Sequence, residues 1–186
     1  MPTRRLSQAI SEGDGISVVV RVSSVDDACS AEAQGAEGLA ISREIPGLRQ
    51  ATSLPILWCG EPDWEAAHRA GADAVVAFSE ADPPPQDRLE LVAYVADEEI
   101  LASVLEEADP EIFLLGGPES GLSDLEEAFE AVLDLLPDVP AGKLAIAEVP
   151  VERREEVEAL ERAGVDAVLV GSGDVAALVG TAPPEV

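Results

Sequence analysis

Few residues in this chain are of types that could carry chemistry in a shared site. Arg21 and Glu148 each fall near the end of a short apolar run, and Tyr94 stands near the end of another. An arginine and a carboxylate brought together there would form one of two things. The first is an anion-binding cation beside a carboxylate base; the second is a buried ion pair, in which removing one partner costs ~3 to 5 kcal/mol. Gly171-Ser172-Gly173-Asp174 lies between a fourth apolar run and a short helix-favouring stretch over 175–179. Free backbone N–H groups and the helix dipole at such a junction favour a phosphate, while Asp174 opposes an anion. The segment reads formally as G-x-G-x-x-A. No second βαβ half follows it, so no dinucleotide is expected, and no cofactor is implied.

The other reactive types are scarce. Lys143 is the sole lysine, His68 the sole histidine, and Cys29 and Cys59 are the two cysteines. One histidine and two distant cysteines do not make a transition-metal site, so no metal is expected. A Schiff-base mechanism needs a lysine amine in the pocket, and Lys143 opens an apolar run, at the end opposite to Glu148. Cys59 could act as a nucleophile only with a base nearby, and His68 belongs to the helix that follows, remote from the strand end.

These residues must be held by something, and three segments show what. Ala33-Gln34-Gly35-Ala36-Glu37-Gly38-Leu39, Ala70-Gly71-Ala72-Asp73-Ala74-Val75 and Ala163-Gly164-Val165-Asp166-Ala167-Val168 each follow an amphipathic stretch. In each, a glycine stands where a helix must end before a buried strand begins. Reading outward gives eight apolar runs, 16–22, 39–42, 55–59, 74–78, 89–95, 112–115, 144–149 and 167–170. Short runs rich in Val, Ile and Leu on both faces are the strands of a covered parallel sheet, and eight is the number that closes a (β/α)8 TIM barrel.

Helices are expected over 25–33, 46–51, 62–70, 97–108, 123–136, 151–163 and 175–179, with a further one over 3–12 closing the barrel floor. Ser123-Asp124-Leu125-Glu126 has the spacing of a capping box. Pro83-Pro84-Pro85 cannot propagate a helix, so the crossover between strands four and five is expected to be a bare loop over 79–87. The expectation is a single compact α/β domain, 1–186, with that one helix missing. Barrel sites lie at the carboxyl ends of the strands. Besides Arg21, Tyr94 and Glu148, that end would carry Ser23, Ser24, Ser42, Arg43, Glu44, Cys59, Glu61, Asp63, Ser79, Glu80, Asp97, Gly116, Gly117 and Glu119. Gly116-Gly117-Pro118 reads as a turn, and the acidic run 152–158 as a solvated helix face.

The chain resembles indole-3-glycerol-phosphate synthase from about residue 16 to 179. The likeness is carried by Pro55-Ile56-Leu57, Arg69-Ala70-Gly71-Ala72-Asp73-Ala74-Val75, Val95-Ala96-Asp97-Glu98-Glu99 and Ala163-Gly164-Val165-Asp166-Ala167-Val168-Leu169-Val170-Gly171-Ser172. The resemblance implies a tryptophan-biosynthesis lyase, yet the positions of its chemistry differ. Where that family places a glutamate and a lysine on strand one, this chain has Arg21 and Ser23. Cys59 stands for the general-acid lysine of strand three, Tyr94 for the glutamate of strand five, and Gly116-Gly117 for the asparagine of strand six. Glu148 on strand seven is retained, and the Ser-Gly expected after it is Val149-Pro150. The resemblance thus implies a barrel weak or inactive in the family's reaction. The alternatives are a barrel that binds a metabolite or partner without catalysis, and an enzyme of altered chemistry using Arg21, Tyr94 and Glu148 on a small phosphorylated or carboxylated ligand.

Charge narrows the partners. The formal net charge is −27, from 38 acidic against 11 basic residues, and a field of that sign repels nucleic acid and anionic membranes. No apolar run reaches the ~20 residues of a membrane span, and residues 1–10 lack the apolar stretch of a secretory signal, so a cytoplasmic protein is expected. An acidic, lysine-poor composition resembles that of proteins from salt-rich cytoplasms, although a GC-rich genome also trades lysine for arginine. Crowded like charges repel, and the Debye length falls from ~10 Å at 0.1 M to ~3 Å at 1 M salt. The melting temperature should therefore rise with potassium chloride by more than a non-ionic osmolyte raises it; equal rises would refute charge screening as the cause.

Overall fold

The computed structural model describes residues 4–61, 63–77, 88–117 and 124–180. Its strands are β1 (Ser17–Arg21), β2 (Gly38–Ile41), β3 (Ile56–Trp58), β4 (Ala74–Ala77), β5 (Glu90–Val95), β6 (Ile112–Gly116), β7 (Leu144–Glu148) and β8 (Ala167–Val170). All are parallel and close into one barrel in chain order. The helices are α1 (Arg5–Glu12), α2 (Val25–Ala33), α3 (Leu48–Ala51), α4 (Trp64–Arg69), α5 (Glu98–Glu107), α6 (Leu125–Leu135), α7 (Arg154–Ala163) and α8 (Val175–Leu178), with a 3-10 turn, Leu136–Asp138, after α6. Among the described residues no helix is long and apolar enough to cross a membrane.

The repeated junctions act as expected. Gly35, Gly71 and Gly164 all have left-handed φ, of +99°, +74° and +105°, which ends each helix where a side chain would be strained. The aspartates of two junctions reach back to the preceding strand. Asp73 accepts the Ile56 N–H at 2.9 Å, and Asp166 accepts the Ala145 N–H at 2.8 Å. The motif therefore stitches neighbouring strands as well as ending helices.

Most helix starts fall one to three residues later than the sequence expectation, and three of them show why. α3 begins at Leu48 rather than 46, after Gly47 in the left-handed region. α7 begins at Arg154 rather than 151, because the Val151 N–H donates to the Val149 carbonyl at 2.8 Å and both valines are buried against the core. α6 is capped by Asp124, whose carboxylate accepts the N–H groups of Glu126 and Glu127. Ser123, the cap expected from its spacing, lies outside the described residues, as do Pro62 and the bare crossover expected over 79–87.

Strand register decides what faces inward. The ladder runs Arg21, Ala40, Leu57, Ala74, Glu90; after steps of two residues along β5 and along β7 it returns to Ser17 of β1. One circuit thus slips the register by eight residues, the shear of this barrel class. A layer normal to the axis climbs one residue per strand, and the interior stacks accordingly. Val19, Leu57, Val92 and Ile146 form one layer from the odd strands, and Ala40, Val76, Leu114 and Leu169 the next from the even strands. All eight are buried in a single apolar cluster. A second, larger cluster lies between the outer strand faces and the helices.

The floor is closed by α1, which inserts Leu6 and Ile10 into the interior cluster. Its own N-cap residue, Arg4, supplies no side-chain capping hydrogen bond. Glu90, at the base of β5, takes over that role by accepting the Leu6 N–H at 2.7 Å and the Ser7 N–H at 3.2 Å. Asp73 anchors the same helix through Arg5 at 3.0 Å, and binds Arg49 at 3.0 Å. Burial, reinforced by the charge of Asp73, pushes the Glu90 carboxyl above its ordinary 4.5 despite the hydrogen bonds that favour its ionised form. A group with a raised folded pKa contributes most stability below its unfolded pKa and loses it as pH rises through the folded one. Glu90→Gln, which keeps one acceptor and has no charge to bury, should therefore gain in melting temperature relative to the wild type as pH rises from 4.5. Glu90→Ala should lose about 3 °C, the equivalent of a ~1 kcal/mol cap. A wild-type to Glu90→Gln difference that is flat with pH would refute this account.

Candidate active site

The layer above the apolar ones consists of Arg21, Cys59, Tyr94 and Glu148. Arg21 ends β1, Tyr94 is the penultimate residue of β5, Glu148 ends β7 and Cys59 directly follows β3. The eight-residue slip carries these four, from alternate strands, to one height at the barrel mouth. Arg21, Tyr94 and Glu148, the three residues singled out first from the sequence, are in this layer together with Cys59.

Arg21 Nη2 donates to Glu148 Oε1 at 2.6 Å across the position of β8, and Arg21 Nη1 lies 3.4 Å from Ser42 Oγ, just beyond β2. The Glu148 side chain is 15% exposed and that of Arg21 33%, so the pair is partly desolvated but reachable from solvent. Burial pulls the Arg21 guanidinium down, and the charges and hydrogen bonds of Cys59 and Glu148 outweigh it, leaving the group above its ordinary value. Burial also pushes the Cys59 thiol up; Arg21 opposes this and Glu148 adds to it, with the result at about 12. Cys59 is therefore a neutral thiol near pH 7 and a poor nucleophile there. His68 is exposed on α4, away from this layer.

Several strand-end candidates have structural roles. Asp63, Asp97 and Asp174 cap α4, α5 and α8, and Ser24 caps α2. Ser23 bonds the Asp27 carboxylate at 2.8 Å. Arg43, Glu44 and Glu61 are exposed. Ser79, Glu80 and Glu119 lie outside the described residues. Lys143 sits before β7 at the amino-terminal end, held by Asp109 at 2.8 Å and Glu111 at 3.6 Å. Ser42 was one of many strand-end residues in the sequence, and only the register singles it out as a neighbour of Arg21.

Gly171, Ser172 and Gly173 are exposed between β8 and α8. Beside them is a cavity of about 260 Å³ lined by Val20, Asp27, Ser30, Gln34, Ser172, Gly173 and Val175 among others. Two N–H groups at the start of α8 already have acceptors: Ala176 donates to Gln34 Oε1 and Ala177 to Asp174 Oδ1, both at 3.2 Å. A phosphate here would rely on the N–H groups of the glycine loop and would face the Asp27 carboxylate. Among the described residues no group of three or more His, Cys, Asp or Glu is placed to hold a metal ion.

No protein-family model matches the chain. An indole-3-glycerol phosphate synthase of Acidithiobacillus ferrooxidans is 34% identical over 142 residues, covering 68% of this chain and 52% of the relative. One from Variovorax paradoxus is 34% identical over 108 residues, 54% of this chain and 41% of the relative, and one from Geobacillus sp. is 28% identical over 144 residues, 68% and 54%. The chain is indole-3-glycerol phosphate synthase-like. It spans about half the length of these relatives. In this synthase-like barrel the one cation of the described mouth layer is already bound to the one carboxylate of that layer.

That pairing should be measurable. Arg21→Met leaves the Glu148 carboxylate without its cation and should destabilise the fold by about 2 kcal/mol, less than the ~3 to 5 kcal/mol of a fully buried pair because water reaches Arg21. Urea unfolding of the two single variants and of Arg21→Met with Glu148→Met should show the double variant losing less than the sum. Strict additivity would mean that the pair has no coupling.

Proposed function

We propose that this synthase-like lyase barrel is weak or inactive in the indole-forming ring closure, and that its mouth binds a small phosphorylated or carboxylated metabolite. The supporting observation is where the cations are. Dehydrative ring closure with loss of CO2 needs a proton donor for the departing hydroxyl and a cation near the carboxylate, roles that a positioned lysine fills. The sole lysine lies at the opposite end of the barrel, bound to two carboxylates. Arg21, which Cys59 and Glu148 hold above the ordinary guanidinium value, keeps its proton too tightly to serve as the acid. Cys59, held near 12, is no better matched to neutral pH. What remains is an arginine that an incoming carboxylate or phosphate could share with Glu148.

A second reading is favoured by the shared layer. Arg21, Tyr94 and Glu148 at one height could bind an anionic ligand, with Glu148 moving a proton on it, in a reaction different from that of the relatives.

Fluorescence of the indole product, followed for hours at high enzyme concentration with 1-(o-carboxyphenylamino)-1-deoxyribulose 5-phosphate, tests the first reading. A lost general acid alone removes a factor of ~10² to 10⁴, so the expected signal is at or near background. Robust turnover abolished by Glu148→Gln would overturn the proposal. A melting temperature raised by small carboxylates or phosphate esters without turnover would support binding.

A further inference from the structure

We infer that Gly116-Gly117 is the positioning element of the mouth carboxylate, setting Glu148 against Arg21, and not a plain turn after β6. Gly116 ends β6 and pairs in register with Glu148. Its φ is +81° and that of Gly117 is +95°, so both residues turn through the left-handed region. The turn lays the Gly117 backbone directly on Glu148. The Gly117 N–H donates to the Glu148 carbonyl at 2.9 Å. A Cβ at 117 would stand 2.7 Å from Glu148 Oε2 and 3.2 Å from its Cδ, and a Cβ at 116 would stand 3.0 Å from the Glu148 carbonyl oxygen.

The Glu148 carboxylate is thus bounded on two sides: Gly117 lies against Oε2, and the Arg21 guanidinium binds Oε1 at 2.6 Å. Any side chain at 117 would enter the space of the carboxylate. Because that carboxylate is the free end of a flexible side chain, it would give way before the backbone does. The direction open to it is away from Gly117 and out of its present alignment with Arg21. Glycine at 117 therefore selects the pose in which the pair forms.

This inference rests on the reading of Glu148 as the working carboxylate of the mouth, and its test uses no turnover, so the two can fail separately. The reporter is the Cys59 thiol, which faces Arg21, Glu148 and Tyr94 in the same layer. Glu148 disfavours its thiolate and Arg21 favours it. Displacing the carboxylate frees Arg21 to stabilise the thiolate. In a Cys29→Ser background, the pH–rate profile of Cys59 alkylation by iodoacetamide is read by mass spectrometry. Gly117→Ala should move the profile down by about one pH unit and raise the rate at pH 9 by ~10-fold, since the thiolate is the reacting species. Glu148→Gln should move it in the same direction.

Gly142→Ala is the control for strain alone, because Gly142 has φ +87° and nothing within 4 Å of its Cβ position. It should leave the thiol profile where it is. If Gly117→Ala does not fold, adding Glu148→Ala removes the group that it strikes and should recover soluble, folded protein. A folded Gly117→Ala with the wild-type thiol profile would overturn the inference. So would a non-folding Gly117→Ala that the second substitution does not rescue.

Discussion

The closure of eight parallel strands with a register slip of eight residues is the constraint from which the rest of this molecule follows. A closed sheet has no edges to protect, and its tilt sends alternate residues of alternate strands into shared layers. Those layers make the interior a packed apolar column. The same geometry continues past the column at the strand ends, where it lifts Arg21, Cys59, Tyr94 and Glu148 to one height. Residues 127 apart in sequence then stand 2.6 Å apart. Changing the slip by two residues would bring different side chains together at the mouth without altering a single strand.

The two ends of the column are built from opposite solutions to burying charge. At the floor, the buried carboxylates are well partnered: Asp73 has two arginines and a backbone N–H, and Glu90 has two N–H groups of α1, while the exposed Asp109 and Glu111 share Lys143. Arg5, Arg49 and Lys143 are therefore committed to holding the fold. A chain with a net charge of −27 has few cations to distribute, and the floor takes most of those that form ion pairs between elements. The described mouth layer is left with Arg21, which Glu148 already binds.

Much of the fold was legible because its signals are local. A helix that must end and a buried strand that must begin within five residues leave a recognisable trace. The glycines of the three junctions, at positions 35, 71 and 164, do adopt left-handed φ, and the eight apolar runs match the strands to within one residue at either end. Helix starts were less legible, because a cap depends on which side chain reaches a free N–H. Asp124 does so at α6, and the turn in which Val149 and Val151 are buried on either side of Pro150 delays α7.

By itself, the sequence determined that the chain forms a barrel and that Arg21, Tyr94 and Glu148 lie at strand ends, since periodicity, glycine placement and strand polarity are properties of short segments. Only the tertiary structure decided that these residues share one layer, that Arg21 binds Glu148, and that Cys59 completes the ring as a suppressed thiol. It alone placed Gly117 against the carboxylate and turned Glu90 into the cap of a helix 84 residues away. Register is set by the packing of all eight strands at once, and a contact across a closed sheet depends on that collective register rather than on any segment that contributes to it.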